Sequence, residues 1–345
     1  MSIEGDSDRI RLGIIGLGRL WQVRHRPALE RLGDRFRITA IHDAVAARAK
    51  REAARIGCAA AGGLRALVER TDVDALLIST PSWFGLHPIR IACEVGKPVY
   101  AAPAAALEPE ARAAVIDAEV RAAGIAVVPE FARRLYPTTI RLRELIANEL
   151  GPPRLVLCQT RVPMVDRDVT PGPTTQVAPA PLVVDPGAFL IDWTRQIFGR
   201  TPDRVAGEQT HLLVPPGGEP DYQVITARYS DGAVARHTIF RFHRDAWGEP
   251  AGKLGTPGIQ VFAERGSAWI DPPDRIVWTT PSGTRDERLP VAASIGEQLL
   301  LGFHAVVKGD RSAAPSWTDA IESARLVAAA RSRAGEGVEI AESAT

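Results

Sequence analysis

Cysteine is scarce in this chain: Cys58, Cys93 and Cys158 are scattered through 345 residues without paired spacing. That excludes a disulfide framework, and no Cys/His cluster has the spacing of a metal site. The three are most simply read as small buried apolar residues in a reducing compartment. Long apolar runs are also missing, since none approaches the roughly 18 residues of a membrane span. Nor does charge of one sign dominate. Forty-two Lys and Arg against 41 Asp and Glu leave a formal net charge of +1, which gives no electrostatic case for nucleic acid or a membrane surface. Residues Met1 to Asp8 are polar and acidic, unlike a secretion signal. These absences together predict a cytoplasmic protein that binds neither nucleic acid nor membrane.

What is present is an ordinary globular composition, 45% hydrophobic and 24% charged, over a length of about two domains. The stretch Arg11-Leu12-Gly13-Ile14-Ile15-Gly16-Leu17-Gly18-Arg19-Leu20-Trp21 is the most informative. An apolar run ends in Gly16-x-Gly18, and a helix is expected from Arg19. Strand, glycine turn and helix start open a dinucleotide-binding βαβ unit. The first glycine allows the tight turn. The second lets the backbone approach a pyrophosphate, held by the amides of the helix N-terminus, here those of Gly18, Arg19 and Leu20.

Residues Phe36 to Asp43 read as the second strand, with an acid at its end. Asp43 lies 25 positions after Gly18, close to the ~20 expected of the residue that binds an adenosine ribose. A carboxylate there favours the 2′-hydroxyl of NAD and repels the 2′-phosphate of NADP. Trp21 stands where the fingerprint's third glycine normally permits close packing of helix on strand. Either the helix stands off the sheet with the indole as a pocket wall, or the indole fills space the cofactor would use.

Residues 10–130 alternate strand and helix: strands at 73–80, 98–101 and 125–128, and helices at 44–56, 64–70, 88–95 and 108–123. Continuous apolar strands in βα units imply a parallel sheet covered on both faces, with ligand beyond the carboxyl ends of the strands. Thr80-Pro81 lies at one of those ends. The second half differs. A helix over 138–150 precedes a strand at 154–162, a Pro-, Thr- and Val-rich loop over 163–182, and a helix from about 188 to 198. Strands then recur near 204–213, 221–230, 233–243, 258–264, 267–271 and 275–280. Ser294-x-x-Glu297 and Ser316-x-x-Asp319 read as capping boxes of two final helices.

The predicted architecture is α/β: a Rossmann doubly wound parallel sheet over 9–135, then an α+β domain over 136–340 with a mainly antiparallel, open sheet. Whether the last helices pack back on the N-terminal domain is open. An uncovered sheet face tends to find a partner, which points to a homo-oligomer.

Taken together, Gly16-x-Gly18, Asp43, Val73 through Thr80-Pro81, Gly96-Lys97-Pro98-Val99-Tyr100, Arg134-Leu135-Tyr136-Pro137, Asp185-x-Gly187 and Ser316-Trp317-Thr318-Asp319-Ala320 resemble the glucose–fructose oxidoreductase, inositol dehydrogenase and MocA family. The likeness spans nearly the whole chain. It implies NAD(P)-dependent oxidation or reduction of sugar or cyclitol carbons, and oligomer contacts through the C-terminal sheet.

The departures fall on the chemistry. The family's Glu-Lys-Pro is here Ala101-Ala102-Pro103, and the histidine of its Asp-x-Gly-x-His-x-x-Asp motif is Phe189. Neither Ala102 nor Phe189 titrates, and alcohol oxidation needs a base for the hydroxyl proton. Asp185 is one substitute, or else it caps the helix that follows. Asp192 is a substrate-hydroxyl ligand or a solvated helix residue. His87 lines the nicotinamide site or merely opens a helix. Glu130 faces the cleft or meets water, Arg134 ties domains together or contacts a sugar, and Lys97 reads as solvated. Two functions follow. One is an NAD-dependent oxidoreductase of a carbohydrate-like substrate with a relocated proton-transfer group. The other is a non-catalytic member serving as a ligand-binding or scaffold subunit.

Overall fold

The computed structural model describes residues 9–79, 85–101, 110–163, 186–212, 220–242 and 258–332. The chain divides into two compact units. Among the described residues, the first holds everything up to Leu135 together with Val291–Ala324, and the second holds the rest.

The first unit is built on six strands: β1 (Ile10–Ile15), β2 (Phe36–His42), β3 (Ala59–Ala60), β4 (Ala75–Ile78), β5 (Val99–Ala101) and β6 (Val127–Pro129). They pair in the order β3-β2-β1-β4-β5-β6, all parallel. The order reverses between β1 and β4, the switch point where open α/β sheets bind ligands. Helices α1 (Arg26–Arg31), α2 (Ala46–Ile56), α3 (Leu64–Val68), α4 (His87–Val95) and α5 (Glu110–Ala123) connect the strands. β1 is apolar and buried from Leu12 to Ile15, where both faces are covered, while Arg11 near its start stays half-buried and pairs with Asp74 at 2.6 Å. Gly13 within it has no room for a side chain, since a Cβ would stand 2.7 Å from Leu67 of α3.

The helix after β1 is not regular. Trp21–His25 forms a π-turn ahead of α1, closed by the Arg26 amide on the Trp21 carbonyl. A π-turn carries one extra residue in the helix, and here it falls on the bulky side chain that replaces the fingerprint's third glycine.

The second unit carries α6 (Pro137–Leu145), continued by a π-turn at Ile146–Leu150, then β7 (Pro153–Pro163) and α7 (Pro186–Phe198). Strands β8 (Arg204–Thr210), β9 (Tyr222–Arg228), β10 (Val234–Phe242), β11 (Ile259–Ala263), β12 (Gly266–Asp271), β13 (Arg275–Thr280) and β14 (Gly283–Arg288) follow. The sheet order is β14-β13-β12-β11-β7-β10-β9-β8, antiparallel except for β7 with β10. β14 escapes a sequence reading because Gly-Thr-Arg-Asp-Glu-Arg has no apolar alternation. It is an edge strand, held by pairing with β13 and exposed along most of its length. Charged residues on an edge also discourage unwanted pairing.

The final helices are α8 (Ile295–Val307) and α9 (Trp317–Ser332). Ser294 and Glu297 form the expected capping box, and Ser316 and Asp319 bond reciprocally in the same way. Leu299, Leu300 and Phe303 of α8 join the core that Leu12, Ile14 and Trp21 occupy. Gly296 makes that approach possible, since a Cβ there would stand 2.7 Å from the Arg24 carbonyl.

His237 of β10 is fully buried against α7. Its Nδ1 lies 3.2 Å from the Ile225 carbonyl, and its Nε2 lies 2.9 Å from the Thr194 hydroxyl. A neutral ring protonated at Nδ1 donates to the Ile225 carbonyl, and its Nε2 shares the Thr194 hydroxyl hydrogen with the Ile191 carbonyl, 3.1 Å from that hydroxyl. Burial pushes its pKa from 6.5 down to about 4. The unfolded chain therefore takes up this proton first as pH falls. Stability from the neutral ring is complete above about pH 6.5 and declines by about 1.4 kcal/mol per pH unit below it, down to about pH 4. Urea unfolding across this window should show that slope for the second unit. A His237→Gln variant should lose it, and an unchanged slope in the variant would refute the assignment.

Candidate cofactor and active site

At the end of β1, Gly16 takes a left-handed φ of 92°, and its amide bonds the His42 carbonyl at 2.9 Å. A Cβ on Gly18 would meet nothing closer than the Ser79 carbonyl at 3.9 Å, so backbone there is open to a ligand. Gln22 is the first residue to bond back, to the Gly18 carbonyl at 3.2 Å, and no side chain caps the turn at Leu20. The amides at Gly18, Arg19 and Leu20 thus precede the first intrahelical bond, the arrangement that holds anions. This cradle fits the diphosphate of a dinucleotide.

Asp43 is buried at the end of β2. Its Oδ2 accepts from the Leu17 amide at 2.8 Å, and its Oδ1 accepts from the Val45 amide at 2.7 Å. Arg48, one turn into α2, adds Nε at 3.0 Å and Nη2 at 2.8 Å to the same Oδ1. The carboxylate that reads as a ribose ligand is therefore paired with a cation. The sequence signal was available: a basic residue five positions after the acid, at the start of a helix.

Trp21 is 1% exposed, and its Nε1 donates to Glu52 of α2 at 3.0 Å. Burial pushes the Glu52 carboxyl up, but hydrogen bonds from Arg55 and Trp21, with the charges of Arg55 and Arg26, hold it below its ordinary value. The indole sits in the core with one side forming a wall of a cavity of about 190 Å³, shared with Leu17, Gln22, Arg26, Arg48, Arg51 and Glu52. That volume suits a sugar-phosphate fragment rather than a whole dinucleotide.

At the carboxyl ends of β5 and β6, Tyr100 and Glu130 meet in the interior. Glu130 is 3% exposed, so neither expectation for it holds: it is not open to a cleft or to water. It accepts from the Tyr100 hydroxyl at 2.9 Å and pairs with Arg24. Nε2 of the buried His25 stands 3.0 Å from its Oε2, outside hydrogen-bond geometry. Burial, followed by the Arg24 charge, pushes the His25 imidazole down to about 3, so the ring is neutral. No sequence pattern joins residues 24, 25, 100 and 130.

His87 is exposed as the first residue of α4, while Arg19 is exposed and Leu20 half-buried at the cradle. Asp192 on α7 is 1% exposed, which corrects the solvated alternative, because a buried carboxylate must be paired. Phe189, one turn earlier, is half-buried, and the helix is anchored where Trp193 Nε1 donates to the Thr139 hydroxyl at 2.9 Å. Arg134 pairs with Asp319 of α9 at 3.3 Å, within the first unit. Lys97 is not solvated: its ammonium donates to the Val68 and Arg70 carbonyls, each at 2.6 Å. Asp185, Thr80, Pro81 and Ala102 lie outside the described residues.

Residues 10–120 match the oxidoreductase family with an NAD-binding Rossmann fold, and residues 139–269 match the GFO/IDH/MocA C-terminal domain. Inositol 2-dehydrogenase 4 of Saccharopolyspora erythraea is 29% identical over 234 residues, 67% of each chain. The rhizopine catabolism protein MocA of Rhizobium meliloti is 28% identical over 270 residues, 77% of this chain and 80% of its own. Among solved structures, a 3-ketoreductase of Actinomadura kijaniata in complex with NADP and TDP-benzene superposes with a TM-score of 0.76 at 21% identity. It covers 94% of this chain and 98% of its own. An NAD-binding oxidoreductase of Klebsiella pneumoniae superposes with a TM-score of 0.77 at 19% identity, over 94% and 97%. The glycine cradle, the acid that closes β2 and the second unit's strands from β7 to β11 thus sit within family matches spanning most of the sequence, and the chain belongs to the GFO/IDH/MocA oxidoreductase family.

Proposed function

We propose that this protein is an NAD(P)-dependent oxidoreductase that acts in the cytoplasm on a CH–OH carbon of a sugar or cyclitol. The cradle at Gly16 and Gly18 is the observation that carries the reading. The dinucleotide, when bound, supplies the hydride acceptor or donor. The protein's own work is to hold the diphosphate on the amides of residues 18–20 and the adenosine ribose beside Asp43. Oδ2 of Asp43 accepts only the Leu17 amide among the described contacts, leaving a lone pair for a ribose hydroxyl, which supports NAD as a cofactor. Thr80 and Pro81, which come after β4 in the sequence, are proposed cofactor contacts on the family resemblance. The relatives named for inositol and rhizopine support a polyhydroxylated substrate.

Proton transfer falls to Asp185, Asp192 or His87, because alanine and phenylalanine stand where the family carries lysine and histidine. Asp192 is buried on α7, one turn after the phenylalanine that replaces the family's histidine. The near-ultraviolet absorbance of reduced nicotinamide, followed across a panel of sugars and cyclitols, tests the activity. Asp192→Asn should lower kcat by about 100-fold or more with nucleotide affinity intact. Unchanged turnover would remove Asp192 from the role.

A second reading, a non-catalytic ligand-binding or scaffold subunit, is favoured by the same two replacements at positions 102 and 189. It predicts nucleotide or sugar binding with no turnover. The open outer face of the second unit's sheet, which presents Phe262 at 44% exposure, supports assembly into a homo-oligomer, testable by light scattering.

A further inference from the structure

The cavity beside Asp43 is richer in positive charge than a ribose diol requires. Resting on the cofactor reading above, we propose that Arg48 is a specificity-determining residue: it masks Asp43 and, with Arg51, receives a 2′-phosphate, so the same site takes NADP as well as NAD.

Arg48 spends only part of its guanidinium on Asp43. Nε and Nη2 both point at Oδ1, at 3.0 Å and 2.8 Å. A guanidinium has five N–H donors, so Nη1 and the second hydrogen of Nη2 are left for another acceptor. Its side chain is 40% exposed, against 4% for Asp43, so the cation and not the carboxylate faces solvent. Arg51 follows three positions later on α2, which puts it on the same helical face. It lines the same cavity, is exposed, and has no acidic partner among the described residues.

Glu52 is the one acid in the cavity wall, and its charge is already engaged. It accepts from Trp21 at 3.0 Å and from Arg55 at 2.9 Å, with Arg26 at 3.8 Å. An incoming dianion therefore meets two arginines with donors to offer, Arg48 and Arg51, and a Glu52 carboxylate already engaged by Arg55 and Arg26. Charge-assisted pairs to phosphate are the strong ones. Asp43 alone would repel a 2′-phosphate, but with the Arg48 guanidinium on its Oδ1 that charge is countered.

Titration of the full-length protein with NAD and with NADP, by calorimetry, tests this. The expected result is a Kd for NADP within about tenfold of that for NAD. Arg48→Ala should weaken NADP by at least tenfold more than NAD, because it removes a phosphate ligand and exposes Asp43 together. Arg51→Ala breaks no ion pair, so folding is not at risk, and it should shift the same ratio in the same direction. The fragments 2′,5′-ADP and 5′-AMP should repeat the pattern. NAD binding with NADP more than 100-fold weaker would overturn the proposal and leave the cofactor reading standing. Equal losses of both nucleotides in Arg48→Ala, with no change of ratio in Arg51→Ala, would make Arg48 merely structural and also overturn it. Failure of both nucleotides to bind the parent protein would overturn the cofactor reading as well.

Discussion

Glu130→Ala is expected to destabilise the first unit by about 3–5 kcal/mol, the cost of orphaning the partners of a buried charge. Glu130 is 3% exposed and answers the Tyr100 hydroxyl at 2.9 Å and the Arg24 guanidinium at once. Without it, the hydroxyl of a fully buried tyrosine loses its acceptor, and Arg24, whose side chain is 25% exposed, keeps only partial access to water. Arg24 can recover some hydration, which places the result towards the lower end of that range. Glu130→Gln separates charge from hydrogen bonding. Its amide oxygen still accepts from Tyr100 but offers Arg24 only a dipole, so it should cost clearly less than alanine. Hydrogen exchange of the segments bearing Tyr100 and Val128, measured against urea, isolates this unit from the other. Both variants within 1 kcal/mol of the parent would show that the cluster contributes nothing to stability.

Trp21→Ala should cost about as much, ~3–5 kcal/mol, by a different cause. Here the loss is volume: the indole is among the largest fully buried side chains, packed with Leu12, Ile14 and Phe303. Its removal leaves a void that the parallel sheet cannot collapse to fill. Trp21→Phe keeps most of the volume and removes only the N–H that Glu52 accepts. Glu52 retains Arg55 at 2.9 Å, so this variant should cost about 1 kcal/mol. Urea denaturation of the three proteins gives the ordering. A phenylalanine variant as unstable as the alanine one would mean that the hydrogen bond, not the packing, holds the π-turn in place. Because the cradle at Gly18 is backbone, Trp21→Phe should leave nucleotide affinity within a few-fold of the parent.

The Rossmann unit was legible because its rules are local. A strand buried on both faces must be apolar throughout. A chain that turns at φ 92° wants Gly16, and a helix that stops wants Gly57, Gly96 or Gly124. The capping box at Ser294 and Glu297 is equally local. The polar edge strand β14 was not legible, since its only reason to be extended is its neighbour β13.

The sequence by itself determined the family, the two-part architecture and the glycine cradle, because these follow from residue type at fixed short spacing. Only tertiary structure decided what each charged side chain does. It set Arg48 on Asp43 and buried Asp192. It turned Lys97 inward onto two carbonyls, and gathered Arg24, His25, Tyr100 and Glu130 from three elements into one core. The physical reason is that a charge's role is set by the partner and the water around it. Folding brings both from parts of the chain that spacing does not relate.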